Sequence, residues 1–341
     1  RWEGTFAPFD RTLSHRLYQR LWAPLGAALA GKAQVFVVPT GPLTSLPFAV
    51  LVTAPPAGSD GDPKALRETA WLIKRHALVT LPSVSSLKAL RLFASKGAAS
   101  EAFAGFGDPA LDGAGARPLT AGSRSVGSIY RGVAPDPNEL RTLDALPETA
   151  AELKALAKAL GASEGDVYLR ERATEARVKS TDLSKKRVIA FATHGLMAGD
   201  MGLGEPGLVL TPPVSASALD DGYLSASEAA RLNLSADWII LSACNTASGD
   251  APGAKGLSGL SRAFFLAGAR SMLVSHWPVW DDVAGRITTT TVTNFQAARA
   301  GGRAEALRRA MLAIMDDASE PRFAHPAAWA PFILVGEARG D

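Results

Sequence analysis

One cysteine, Cys244, stands among 341 residues. A lone thiol excludes an internal disulfide framework and any thiolate metal cluster, and it leaves a single sulfur to account for. A reducing compartment suits such a chain, so a cytoplasmic location is expected. Long apolar runs are missing as well: none approaches the roughly 18 residues of a membrane helix, and the start, Arg1-Trp2-Glu3-Gly4, has no apolar signal core. Neither export nor a membrane partner is expected. The start is not an initiator Met, so the chain is expected to belong to a longer product. Charge of one sign is scarce too. The formal charge is +3, and the basic residues form no block or aromatic-interleaved stripe, so nucleic acid is not an expected partner. Hydrophobic residues make up 47% and charged residues 20%, too apolar a mixture for disorder and enough for a full core. The length, about twice that of an average domain, allows one large domain or two fused halves.

The hydrophobic pattern is read along the chain. Leu13, Leu17, Leu21, Leu25 and Leu29 recur every fourth residue, which predicts an amphipathic helix over Thr12 to Leu29, kinked or broken at Pro24. Val35 to Pro39 is a short β-branched run and predicts a buried strand. Further strands are expected near Phe48 to Val52, His76 to Leu81 and Ala102 to Phe106, with a helix from Ser83 to Phe93 between the last two. From Asp108 to Pro137 the sequence turns to Gly, Ala, Ser and Pro, with Arg117, Arg124 and Arg131 spaced through it, as in a loop or linker. Beyond it strands and helices alternate. Helices are expected at Pro147 to Leu160, Thr174 to Leu183, Ala226 to Arg231 and Leu257 to Ala267, and two more within Asp281 to Met315. Strands are expected at Val188 to Thr193, Leu208 to Leu210, Trp238 to Leu241, Met272 to Ser275 and Phe332 to Val335. This alternation implies an α/β sandwich with a mostly parallel sheet, in which ligands gather beyond the carboxyl ends of the strands.

Two strands deliver chemistry to that edge. Val188 to Thr193 runs into His194-Gly195, and Trp238 to Leu241 runs into Ser242-Ala243-Cys244. If these strands are neighbours about 4.8 Å apart, His194 and Cys244 face each other across the sheet edge. A thiol with an ordinary pKa is mostly protonated at neutral pH, so a nucleophilic cysteine needs an adjacent imidazole as base. The oxyanion made by its attack needs backbone N–H donors, for which Gly195 and Cys244 itself are the candidates. A buried packing cysteine is the alternative, since free cysteine is among the most buried residue types. The small and polar residues from Ser242 to Gly249 describe a loop beyond a strand instead. Other motifs fall away. Gly202-Leu-Gly-Glu-Pro-Gly207 satisfies GxGxxG but is followed by a strand-like run where a dinucleotide site requires a helix. His15, His76, His276 and His325 have no metal-type spacing and are expected in structural roles, although His276 and Trp277 could line a substrate groove. No Walker A, HExxH or GxSxG sequence is present, and no cofactor or metal is expected.

Several blocks resemble, in order, those of CHAT domains, the caspase-like peptidase domains related to separase and commonly attached to tetratricopeptide repeats. They are Phe191-Ala-Thr-His-Gly195, Leu241-Ser-Ala-Cys-Asn-Thr-Ala247, Gly256-Leu-Ser-Gly-Leu-Ser-Arg-Ala-Phe264, Ala267-Gly-Ala-Arg-Ser271 and Trp277-Pro-Val279. Upstream, Val38-Pro39, Gly41 to Phe48 and Leu81-Pro-Ser83 look like the family, as does His325 to Phe332 with Gly336. The 50-residue spacing from His194 to Cys244 is close to the roughly 50-residue His-to-Cys separation of caspases.

The resemblance implies a caspase-like α/β/α sandwich. It comprises an N-terminal lead-in over residues 1–32, a degenerate half over 33–137 and a catalytic half over 138–341. It implies a cysteine endopeptidase with a His194/Cys244 dyad, a protein substrate, and activation by a repeat domain or other partner. An idle caspase-like interaction scaffold is the competing expectation. No third side chain that orients His194 is evident; in caspase-like enzymes a backbone carbonyl can serve. Relatives that cleave after basic residues use a carboxylate at the pocket base. Trp277-x-Val279-x-Asp281 resembles the separase pattern, so Asp281 is the candidate and Asp282 the reserve. Both also suit the first turn of a helix, where its dipole favours acids. Lys255 and His276 depart from the family, which more often has an acid and a Leu at these positions.

Overall fold

The computed structural model describes residues 7–93, 99–111, 135–242, 259–298 and 301–338. Eight strands form one sheet: β1 (Gln34–Val37), β2 (Ala77–Thr80), β3 (Glu101–Pro109), β4 (Val167–Arg170), β5 (Lys186–Ala192), β9 (Trp238–Ser242), β10 (Ser271–Ser275) and β11 (Phe332–Gly336). Their spatial order is β1-β2-β11-β10-β9-β5-β3-β4, and every pairing is parallel except β10 with β11. A second sheet, β6 (Gly195–Leu196), β7 (Gly207–Val209) and β8 (Tyr223–Ser225), is antiparallel and grows out of the residues after β5. The main sheet is continuous across position 137: β3 lies between β4 and β5, and β2 lies beside β11.

Both faces of the central strands are covered, which is why β5, β9, β10 and β11 carry apolar runs without polar alternation. Val188, Ala190 and Ala192 of β5, with Trp238 and Ile240 of β9, point to one face. There they meet the helices Glu148–Leu160, Asp281–Ala297 and Gly302–Asp316 through Leu153, Leu156, Val283, Ile287, Leu307 and Met311. The intervening Ile189, Phe191, Ile239 and Leu241 point to the other face, against Val178, Leu260, Ala263 and Phe264. Each fully buried Leu, Ile or Phe contributes roughly 1.5–3 kcal/mol. A one-residue slip would exchange the two faces, so this double burial pins the register.

The Glu148–Leu160 helix buries Thr149, Glu152, Leu153, Leu156 and Ala157, a stripe at helical spacing. Gly161, at φ 70°, ends it in the left-handed conformation that glycine adopts without strain. At the N-terminus the predicted break is present: a helix Arg11–Leu21 gives way at Pro24 to a 3₁₀ turn, Ala23–Leu25, and a short helix Gly26–Leu29. One predicted strand is absent. Phe48–Val50 is a buried 3₁₀ turn following Pro47, because a short apolar run reads the same whether it is a strand or a buried turn of helix. Among the described residues no helix is long and apolar enough to cross a membrane.

Candidate active site

The two strands singled out for chemistry are neighbours. β5 and β9 pair in parallel, with Ala192 opposite Ser242 as the last matched pair. His194 lies two residues beyond Ala192. Cys244 lies two residues beyond Ser242 in sequence, within the stretch 243–258 that falls outside the described residues, as does Lys255.

The backbone around His194 is locked from both sides. Thr193 is buried and its hydroxyl donates to the Val209 carbonyl, while the Val209 N–H donates to the His194 carbonyl at 2.9 Å. Gly195 then opens β6 opposite Leu208. The half-buried imidazole has its Nε2 2.8 Å from the Asp144 carbonyl oxygen. A carbonyl can only accept, so Nε2 carries the hydrogen and, in the neutral ring, Nδ1 is the basic nitrogen. Asp144 sits in the lead-in to the Glu148–Leu160 helix, and that lead-in is itself tied down. The Arg141 guanidinium donates to the Pro212 and Pro213 carbonyls at 2.6 and 2.8 Å, and Leu140 is buried among Leu111, Leu196 and Val209.

At the end of β9 the Ser242 hydroxyl donates to Glu152 Oε2 at 3.0 Å. The other oxygen of that carboxyl group accepts from the Thr288 hydroxyl at 2.7 Å. Glu152 is only 6% exposed, so these bonds replace hydration that burial removes. Sequence reasoning missed both Asp144 and Glu152. A carbonyl acceptor leaves no mark on residue identity. Glu152 did leave one: it is a carboxylate inside the apolar stripe of its helix, one turn before Leu156.

The acidic candidates occupy the first turn of the Asp281–Ala297 helix, of which Asp281 is the first residue; its side chain lies outside those described. Asp282 is engaged. Its carboxylate pairs with Arg322 at 2.7 Å, and that guanidinium also binds Glu320 and lies 5.0 Å from the ring centres of both Trp280 and Phe323. His276 follows β10, its N–H donating to the Pro331 carbonyl at 2.8 Å and its ring stacked on Trp277. Burial pushes its pKa down to about 4, so it is neutral at ordinary pH. The remaining histidines bind backbone: His15 reaches Val52, His76 reaches Lys32, and His325 reaches Ala7 while accepting from the Ala327 N–H. The last glycine of Gly202 to Gly207 opens strand β7, not a helix.

A 115-residue stretch, 33% of the chain, is 36% identical to tetratricopeptide repeat protein 28 of Mus musculus, of which it spans 4%. Among solved structures, the Saccharomyces cerevisiae separase–securin complex aligns with 90% of this chain and 16% of that one, at 11% identity and a TM-score of 0.48. The Arg-specific cysteine proteinase gingipain R aligns with 96% of this chain and 66% of that one, at 8% identity and a TM-score of 0.43. The CHAT domain family model matches residues 11–337. The chain belongs to the CHAT domain family, and its own mostly parallel sheet with both faces covered is the α/β/α sandwich expected from the sequence.

Proposed function

We propose that the chain is a cysteine endopeptidase that cuts a partner protein after a basic residue, with Cys244 as nucleophile and His194 as base. The observation that carries this reading is the β5–β9 pairing, Ala192 opposite Ser242, with the His194 ring held through Nε2 by the Asp144 carbonyl. In this mechanism Nδ1 takes the Cys244 proton and the thiolate attacks the scissile carbonyl carbon. The N–H groups of Gly195 and Cys244 receive the resulting oxyanion. The imidazolium returns its proton to the leaving amine, and water then hydrolyses the thioester through a second oxyanion.

Asp281 is the carboxylate for the substrate's basic side chain. The engagement of Asp282 by Arg322 favours this choice over its neighbour. Regulation falls to a repeat domain or another partner protein, a reading in keeping with the tetratricopeptide repeats named in the mouse relative. The lone thiol suits cytoplasmic work. The test is incubation with an Arg-ending acyloxymethylketone followed by intact mass. One adduct that needs both His194 and Cys244 is expected. An adduct absent from the parent, or indifferent to His194, would favour the idle scaffold.

A further inference from the structure

Glu152 is a buried carboxyl group that joins three elements. Its own helix lies on the sheet face shared by Ala192, Ile240 and Ser242. One oxygen takes the hydroxyl of Ser242, the last residue of β9, and the other takes the hydroxyl of Thr288, two turns into the helix that opens at Asp281. Gly285 of that helix lies beside it: a Cβ added there would make an ordinary van der Waals contact with Glu152 Cβ at 3.6 Å. Eight residues upstream, the carbonyl of Asp144 takes the His194 Nε2 hydrogen. Thr149 stitches the stretch between them to the end of β3, accepting from the Asp108 N–H at 2.9 Å and donating to the Leu146 carbonyl at 2.7 Å. One continuous stretch, 144–152, therefore grips the base directly and grips the strand that leads to the nucleophile.

We propose that Glu152 is a positioning residue for catalysis, its carboxyl group setting the end of β9 and the helix carrying Asp281 against a base fixed by the same stretch of chain. This rests on the dyad reading above. Packing alone gives little reason for a carboxyl group at this position. Its neighbours toward the helix C-terminus in the stripe, Leu153, Leu156 and Ala157, are apolar, and a buried polar group offers little net stability over a well-packed apolar one. What a carboxyl group adds is direction, because two acceptor oxygens fix two hydroxyls at once. Nothing in the mechanism requires Glu152 to touch substrate. Its effect belongs in the turnover rate and in the reactivity of the thiol, not in substrate affinity.

The test uses Glu152→Gln, Ser242→Ala, their double variant and His194→Ala, each read in three ways. These are the thermal midpoint, the separate rate and affinity constants for labelling by the Arg-ending acyloxymethylketone, and the pH dependence of Cys244 alkylation by iodoacetamide. Misplacing a reacting group by an ångström costs up to about 100-fold, so labelling in Ser242→Ala should slow roughly 10- to 100-fold with its affinity constant within about twofold of the parent. Glu152→Gln should act in the same direction, and the double variant should be no slower than the slower single one, since residues acting as one unit are not additive. Both should shift the alkylation profile toward that of His194→Ala. Ser242→Ala removes only one hydroxyl at a strand end and keeps the question answerable if Glu152→Gln folds poorly. Parent-like labelling in Ser242→Ala, or full additivity in the double variant, overturns the positioning role while the dyad stands. Alkylation in the parent that ignores His194 overturns the dyad reading, and the positioning role with it.

Discussion

Replacing His194 or Cys244 by Ala should abolish proteolysis to the same extent, because base and nucleophile act as one unit whose losses do not add. Cleavage of an Arg peptide by each variant and by the pair checks this; near-parent activity in either single variant would remove the assignment. The thermal midpoints should stay close to the parent's, whereas a large drop in Cys244→Ala would mark a packing cysteine. The two acids at the next strand end should separate as cleanly. Asp281→Asn keeps shape and deletes charge. An Arg side chain entering a desolvated pocket without its carboxylate costs about 3–5 kcal/mol, or roughly two to four orders of magnitude in turnover. Neutral substrates, and alkylation of Cys244 by a small neutral reagent, should barely change. Asp282→Asn instead removes one of the two carboxylate partners of Arg322, a partly exposed pair worth at most about 1 kcal/mol of stability and no specificity. Equal losses in the two variants would move the pocket carboxylate elsewhere.

Elements are legible in the sequence where burial is two-sided. β5, β9, β10 and β11 each contain an apolar run of three to five residues, and the pattern places each strand to within two residues. The short edge strand β4, Val-Tyr-Leu-Arg, and the two- and three-residue strands β6 and β8 leave no comparable pattern, because pairing makes them strands and no periodicity announces it. That β5 and β9 end side by side, with His194 just beyond β5, is legible for a related reason: neighbouring parallel strands bring their carboxyl ends to one edge of the sheet. The contact that holds the His194 ring is not, since Asp144 acts through its backbone. Two expectations belong to connecting segments. If the enzyme prefers Arg, the stretch Asp108 to Pro137 is where self-cleavage should fall, after Arg117, Arg124 or Arg131, all of which lie outside the described residues. Intact mass of active enzyme checks it, and robust substrate cleavage with no nick here would dismiss it. The second concerns the end of the Gly259–Ala267 helix. Gly268 turns the chain at φ 115°, with Ala269 N–H returning to the Phe264 carbonyl, and an added Cβ would lie 2.2 Å from the Leu234 carbonyl oxygen. Gly268→Ala should therefore destabilise the fold by at least about 2 kcal/mol in urea unfolding, more than the ordinary left-handed penalty of about 1–2 kcal/mol. A loss under about 0.5 kcal/mol would mean the backbone shifts freely there.

Over the whole molecule the two sequence ends are joined: β2 pairs with β11 through Thr80 and Val335, and the Arg67 guanidinium donates to the carbonyls of Met315, Asp317 and Glu320. A perturbation on either face should therefore be felt in the global unfolding transition, and two buried groups, Glu175 and His276, give it opposite pH dependences. Glu175, 1% exposed, lies beside Lys179, Glu228 and Asp221 and accepts from the Asp221 and Gly222 N–H groups. Burial raises its pKa from 4.5 to about 7. The native state keeps this proton where the unfolded chain has released it, so its stabilising contribution is complete below about pH 4.5 and is lost as the pH climbs through about 7. His276 runs the other way: burial lowers its pKa from 6.5 to about 4, so its contribution is complete above about pH 6.5 and is lost as the pH falls through about 4. Between about pH 5 and 6.5 the two slopes oppose each other, with His325, lowered by burial, on the histidine's side and Asp220 and Asp221, raised by burial, on the glutamate's. The parent's thermal midpoint should therefore change less across the window than that of a variant lacking either group. The paired acids held below their usual range, Asp317 and Glu305 among them, act mainly under that window. Glu175→Gln should leave the histidine's slope uncovered, so its midpoint rises with pH across the window. His276→Asn should leave the glutamate's, so its midpoint falls over the same range. Thermal melts of the three proteins at closely spaced pH values decide the matter: parallel curves would mean that neither group titrates as its burial dictates.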